Sequence, residues 1–478
     1  MSEYNKDFLK KEPPLDWHGA PEAVVVLPEP DEGPELTRIP LSRAIFKLAW
    51  PAFTSMLLLM IFNLVDIWWV GKLGAEALAG VSAAAFMMWT LQSIATLVDT
   101  GVNAMVARFY GARDNELASR VVGQGIILAS ILAITFGILG YIFQNYIYAY
   151  MGLEGNVLHA ARDYMNFIFA GMITIFTTFA ADAAFRGMGD TKTPLKIISV
   201  ALLLNFILDP LLIFGIGPFP RMETGGAALA TVLSHVLAIS WSVWLLRKRE
   251  VTIKFVTRMK QFINLDLIWR IARVGAPISF SGIMFSISYM LLTRVITRFG
   301  SEPLAALGLG HRIEGLAYFT AVGFSVAAAT LVGQNLGAKK PERAEKAAWL
   351  SVLYTCCLLL AVSLVFLFFG KWIIMFFIND PRVIAEGVRY LRIIAMFEVF
   401  LGMEIVFEGA FGGAGNSLPP MLVSVPITWA RIPLAIVLAN TLGMGSNGIW
   451  WAIAATTGLK GIIMALWFRR GGWKTKKV

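Results

Sequence analysis

The stretch "NFILDPLLIFG", Asn205 to Gly215, places an amide and a carboxylate four residues apart inside a long apolar run. Residues at that spacing share one face of a helix. A second acid, Asp66, lies in "FNLVDIWWVG", and Thr231 in "GGAALATVLSH" adds a hydroxyl, both again within apolar runs. A carboxylate in hydrocarbon costs about 3 kcal/mol on insertion scales and roughly 10 or more on others, so such groups face partners or a path through the protein. Two carboxylates, an amide oxygen and a hydroxyl form the oxygen set that a hard cation such as Na+ prefers. The same carboxylates can instead carry protons, since burial disfavours a carboxylate's charge. Hydrogen bonding to neighbouring helices is the bland alternative. For Thr231 that includes a bond to its own backbone.

The elements that hold these groups follow from composition. The 478 residues are 57% hydrophobic and only 15% charged, with mean hydropathy +0.68. Soluble domains run near 45–50% apolar and about 25% charged. Apolar runs of about 20 residues, the length of a membrane-crossing helix, recur from Ala44 to Phe468. Twelve are counted, centred near residues 57, 92, 131, 174, 205, 236, 282, 318, 357, 398, 430 and 459. The fold class is therefore all-α and integral to a membrane, with twelve transmembrane helices.

The first forty residues are charged and Pro-rich with no apolar core, which predicts a flexible cytosolic tail rather than a signal peptide. The net charge of +10 is gathered ahead of the first span, in "RKREVTIKFVTRMKQ", in "GAKKPERAEK" and in "RRGGWKTKKV". The alternate loops, such as "NTLGMGSNG", carry little. That asymmetry places both termini in the cytoplasm and assigns the basic residues to topology and anionic lipid, with no nucleic-acid partner. Cys356 and Cys357 are adjacent, point about 100° apart on a helix and read as buried thiols with no redox role.

The chain is written twice. One ungapped shift of 226 carries Pro51 to Pro277, Gly74 to Gly300, Gly111 to Gly337, Glu116 to Glu342, Phe185 to Phe411, Pro194 to Pro420 and Thr231 to Thr457. Each copy holds six spans, so both insert the same way up, related by a two-fold axis along the membrane normal with a cleft between them. That is the build of a secondary transporter, whose sites lie near mid-membrane. The predicted units are a tail over 1–40, an N-lobe over 41–250, a cytosolic linker over 251–265, and a C-lobe over 266–478 with its basic tail.

Where the copies differ, function is expected. Asp66 maps onto Leu292, Asn205 onto Arg431 and Asp209 onto Ala435, so only the N-lobe has acids at these positions. Pro210 follows Asp209 directly and disturbs the carbonyl one turn back, at Phe206. Other polar residues in the spans are possible cavity or substrate contacts. Asp99 is a candidate for the N-lobe cavity. Asp182 lies four residues before Arg186, spacing for an ordinary ion pair. In the C-lobe, Glu398, Glu404 and Glu408 follow one another along span ten, and Glu314 sits in "HRIEGLAYF". Arg431 and Arg294 are possible partners for them. Structural pairing is one account of this group; an acidic patch that attracts organic cations is the other. Abundant Met, Phe and Trp would suit an adaptable apolar cavity.

Several motifs in order carry a family resemblance. "FRGMGDTKTPLKI…NFILDPLLIFG", "FNLVDIWWVGKLGAEALAG" and "HRIEGLAYF…VAAATLVGQNLGAKKPERAEK" resemble segments of the multidrug and toxic compound extrusion (MATE) family, over about residues 40 to 478. The resemblance implies two six-helix bundles around a V-shaped cleft in a prokaryotic inner membrane. It implies export of amphipathic, often cationic compounds in exchange for Na+ or H+. It also maps a cation-coupling site onto Asp66, Asn205, Asp209 and Thr231, which would be the ligands of a coupled Na+. One branch of the family carries an acid in span seven; the position here is about Phe285, which cannot ligate a cation, so the chain is more similar to the DinF-like branch.

The main rival is a lipid or lipid-linked oligosaccharide flippase of the same superfamily, whose cavity would be lined with Arg and Lys. Buried acids predominate here, which favours cationic cargo. An enzyme would need a nucleophile with a base, or a His-rich metal set. The histidines, at 18, 159, 235 and 311, are scattered, so neither catalysis nor a bound cofactor is expected. No oligomerisation signal is visible, and a monomer is expected.

Overall fold

The structure is a computed structural model and describes residues 34–249 and 263–476. The predicted tail up to residue 33 and most of the linker, 251–262, lie outside the described residues. Spans one to six are the helices Leu41–Gly71, Ala75–Gly111, Asn115–Tyr150, Gly155–Gly187, Lys192–Phe214 and Glu223–Arg247. Spans seven to nine are Leu265–Ile296, Ser301–Gly337 and Pro341–Phe377; spans eleven and twelve are Leu418–Ile436 and Ser446–Arg469. Among the described residues eleven helices are long and apolar enough to cross a membrane. The twelfth crossing is built differently. Span ten is two short helices, Pro381–Ala395 and Glu398–Gly413, and at the break the Phe397 N–H bonds the Ile394 carbonyl at 2.8 Å, a tightened turn.

Local chemistry sets the ends. The Asp114 carboxylate caps span three by accepting from the Leu117 N–H at 2.9 Å, and Asn264 caps span seven by accepting from Leu267 at 3.1 Å. Gly74 and Gly300, one shift of 226 apart, open spans two and eight at φ 119° and 111°. That backbone region strains any residue with a Cβ. Pro51 and Pro210 sit inside continuous helices.

The sequence repeat reappears as paired contacts between the halves. A Cβ on Gly337 would stand 2.0 Å from the Arg108 carbonyl oxygen, and one on Gly111 would stand 2.2 Å from the Gln334 carbonyl oxygen. Arg108 and Gln334 are repeat-mates, as are the two glycines. Gly275 likewise lies on the Leu97 carbonyl, and its mate Ala49 offers a carbonyl to Gly323, the mate of Leu97. Each half lends the start of its first helix to the other's core: Ala44, Ile45, Leu48 and Ala49 pack with Phe324 and Leu331, while Leu267 and Ile271 pack with Ala95 and Val98. These contacts place the two six-helix bundles about a two-fold axis, with the tightest crossings toward the end bearing the basic loops.

Gly337→Val should therefore destabilise the protein, since overfilling a tight contact costs about 1–3 kcal/mol. Heating followed by size-exclusion chromatography checks this. An unchanged melting point would mean that the two helices do not cross here.

Several sequence expectations need correction. The described end of the expected flexible tail is ordered: Glu35–Thr37 forms a 3-10 turn whose Leu36 and Thr37 are buried, Leu36 against the core that holds Leu331 and Leu336. Cys357 is exposed and Cys356 only half-buried, because span nine turns one side outward from the bundle. Asp182 does not pair with Arg186, as described below.

Candidate functional site

Spans one, five and six bring the N-lobe candidates together. Asn205 and Asp209 are fully buried on span five, and Asp66 and Thr231 nearly so on spans one and six. The two carboxylates are close enough to interact electrostatically. A carboxylate only accepts hydrogen bonds and a backbone N–H only donates, which orients the amide between them. With its nitrogen toward the acid, Asn205 Nδ2 donates to Asp209 Oδ2 at 2.9 Å and its oxygen accepts from the Thr231 N–H at 3.1 Å. The Thr231 hydroxyl donates to the Ala227 carbonyl of its own helix at 3.1 Å, leaving its oxygen lone pairs to accept.

Asp66 Oδ1 and Asp209 Oδ1 are buried without any hydrogen-bond partner. Leaving a buried charged acceptor unsatisfied costs about 1–3 kcal/mol or more. A cation or a proton at these two oxygens would remove that cost. For the Asn205 oxygen to join a metal ion the amide would have to turn over. The donor set thus fits a monovalent cation or proton, with the amide as its movable member. Tyr164 of span four lies within electrostatic range of both acids. Sequence reading did not single it out, since a tyrosine in an apolar helix carries no local signal.

The C-lobe fills the matching place with a fixed cation. Arg431, the repeat-mate of Asn205, donates from Nη2 to Thr457 Oγ1, the mate of Thr231, at 3.3 Å. Its Nε donates to Thr456 at 2.8 Å and its Nη1 to the Tyr289 hydroxyl at 2.9 Å. A guanidinium held there excludes a second, symmetric cation site by occupancy and by charge. Phe285, at the position where a span-seven acid would stand, packs its ring 4.5 Å from that of Tyr289.

The remaining candidates separate into distinct contacts. Arg186 forms its ion pair with Asp99 across spans two and four, so the predicted pairing with Asp182 is incorrect. The guanidinium instead reaches across to Asp99 on the neighbouring helix, where both side chains are largely shielded from solvent. Asp182 stands near both as a third charge. The Arg186 carbonyl accepts from Thr330 of span eight at 3.0 Å, which places this cluster at the contact between lobes. In the C-lobe, Glu404 pairs with Lys460 of span twelve at 2.6 Å, and both are buried. Glu408 is near this pair. Glu314 accepts from the Tyr390 hydroxyl at 2.9 Å. Arg294, expected as a partner for the span-ten acids, is exposed instead. Lys460 is the residue missed, although a lysine in "AATTGLKGIIMALW" was visible. Among the described residues no three His, Cys, Asp or Glu side chains gather to hold a metal ion.

Comparison with known proteins fits this architecture. The MatE family model matches residues 51–211 and again 277–437, two segments separated by the same shift of 226. The chain is 28% identical over 447 residues to the probable multidrug resistance protein NorM of Thermotoga maritima, covering 92% of this chain and 94% of that one. It is also 28% identical over 434 residues to the FAD transporter of Shewanella oneidensis, covering 89% and 94%. A solved MOP superfamily transporter from Pyrococcus furiosus superposes with a TM-score of 0.85 at 26% identity, over 93% of this chain and 99% of that one. With both halves matched by one family model and the whole fold shared, the chain belongs to the MatE family of membrane transporters.

Proposed function

We propose that this protein is a secondary active multidrug exporter of a prokaryotic inner membrane, antiporting amphipathic organic cations against Na+ or H+ by alternating access. The observation that carries this reading is the pair of unpartnered oxygens on Asp66 and Asp209, in the half where the repeat breaks. An ion bound there neutralises the N-lobe; its release and cargo binding belong to opposite strokes. The resistance protein from Thermotoga maritima supports the multidrug cargo. On this reading the basic loops and both termini are cytoplasmic, and the tight crossings close the cleft on that side.

The FAD transporter among its relatives raises an anionic cargo instead. The deep bases argue against it. Arg431 spends all three nitrogens on hydroxyls, and Lys460 is held by Glu404. Among the charged side chains deep in the C-lobe, the atoms left without partners are carboxylate oxygens, on Glu398 and Glu404. A flippase cavity lined with free bases has the same difficulty.

The test is efflux of a fluorescent cationic dye from proteoliposomes, with Na+ and proton gradients imposed separately. Export driven by either one names the coupling ion. Movement of a lipid-linked cargo, with neither gradient moving the dye, would give the flippase reading instead.

A further inference from the structure

We propose that the groove beside the start of span one binds the phosphate headgroup of one anionic phospholipid, from the leaflet at the basic end of the molecule, through Arg43, Lys47 and Lys192. The groove has a volume of about 470 Å³ and is lined by these three bases together with Glu35 and Phe46. Arg43 and Lys47 stand on the first two turns of span one, and Lys192 is the first residue of span five. Lys196 is exposed one turn further along span five.

Positive charge is in surplus here. Glu35 is the acid in the groove lining, and both its oxygens accept from the Lys47 ammonium, each at 2.7 Å. An ammonium has three donors, so Lys47 keeps one for a ligand. Asp190, two residues before Lys192, is taken by the Thr193 hydroxyl at 2.6 Å and by Arg249 at 2.5 Å. Arg43, Lys192 and Lys196 are exposed and form no ion pair among the described residues.

Below the bases the surface is apolar. Arg43, Phe46, Lys47 and Trp50 recur at helical spacing, so bases and rings share one face of span one. Phe46 is 46% exposed and Trp50 66%. The tight helix crossings fill the centre of the molecule at this end, so rings exposed here face the bilayer. Phe46 also stands at the seam between the lobes. Its ring lies 5.8 Å from that of Phe324 and 5.1 Å from that of Tyr354, both of the C-lobe, and the Tyr354 and Ser42 hydroxyls meet at 2.7 Å. Charge above an aromatic strip suits a phospholipid, whose phosphate meets water and whose chains run inward, and Trp is enriched at that level of a membrane. A free phosphate would use the bases and leave the strip empty.

The repeat separates this groove from the general charge bias. Bases at the ends of spans serve topology wherever they stand. Yet the shift of 226 carries Arg43 onto Trp269, Trp50 onto Ala276, Lys192 onto Leu418 and Lys196 onto Leu422, and of these bases only Lys47 has a basic mate, Arg273. On that second seam Arg270 is paired with Asp266 at 2.8 Å. Topology asks for no difference between the two seams. A ligand held at one of them does.

Native mass spectrometry of the delipidated full chain in detergent tests this. It needs no transported cargo, so its failure is separate from failure of the exporter reading. Phosphatidylglycerol is titrated beside phosphatidylcholine with the same acyl chains. We expect one tight phosphatidylglycerol adduct that phosphatidylcholine does not match. Arg43→Gln/Lys192→Gln should weaken it by about 30-fold, since each base near an anionic lipid contributes about fivefold. Arg270→Gln/Arg273→Gln, on the other seam, should leave it unchanged. Equal weakening by the two pairs would mean diffuse attraction and overturn the site, as would equal affinity for the two lipids. Displacement of the adduct by inorganic phosphate at matching concentration would reassign the bases to a free anion. A tight adduct seen only in Glu29→Gln/Asp31→Asn/Glu32→Gln would give the groove to that acidic stretch of the chain instead.

Discussion

Asp209→Asn is expected to weaken ion-driven export strongly while leaving the folded protein intact. The substitution keeps the shape and removes the charge. It also replaces an acceptor with an amide that can donate, at the spot where Asn205 already presents an NH2 group. The N-lobe would then lose one of its two open carboxylate oxygens, and with it the differential affinity that links ion to cargo. Couplings between two ligands are typically worth about 1–3 kcal/mol, so gradient-driven efflux should fall by about 5- to 150-fold. On the proposed function, dye binding to the same variant in detergent should persist, since the cavity contacts proposed for cargo are other residues than Asp209. Full gradient-driven export by Asp209→Asn would remove Asp209 from the mechanism.

The largest stability effect should come from Lys460→Met. Glu404 and Lys460 are both buried, with 2.6 Å between Nζ and Oε1, and the second Glu404 oxygen has no partner. Removing one member of a buried pair leaves the other charge uncompensated, at a cost of about 3–5 kcal/mol. The double variant Lys460→Met/Glu404→Gln should recover most of that loss, since a neutral pair carries no stranded charge. Melting of the purified protein, followed by loss of the monodisperse peak, reads both. Equal losses in the single and double variants would show that packing around Lys460, not charge, sets the effect.

Much of this protein was legible from its residues in order. Hydropathy gave eleven of the spans as single helices, because a bilayer demands about 20 apolar residues and closes every backbone hydrogen bond within the helix. The two-fold arrangement followed from one shift of 226, and the structure repeats it in the mirrored approaches of Gly111 and Gly337. The broken symmetry located the N-lobe acids, since Leu292 and Ala435 cannot share their chemistry.

What tertiary structure alone decided was which polar group meets which. Helical spacing offered Arg186 to Asp182, but neighbouring helices supplied Asp99. Sequence reading offered Arg431 and Arg294 as partners for the span-ten acids and missed Lys460, which holds Glu404, because these bases lie on different spans whose facing sides hydropathy does not reveal. The same reason hid Tyr164 and Tyr390, and the meeting of Arg431 with Thr457. Span ten looked like one apolar run, yet it is broken just before Glu398 with neither proline nor glycine at the break. Period and composition are properties of one helix. Partner choice is a property of lateral packing, and in a membrane protein nearly every helix face is apolar, so the sequence alone does not say which faces turn inward.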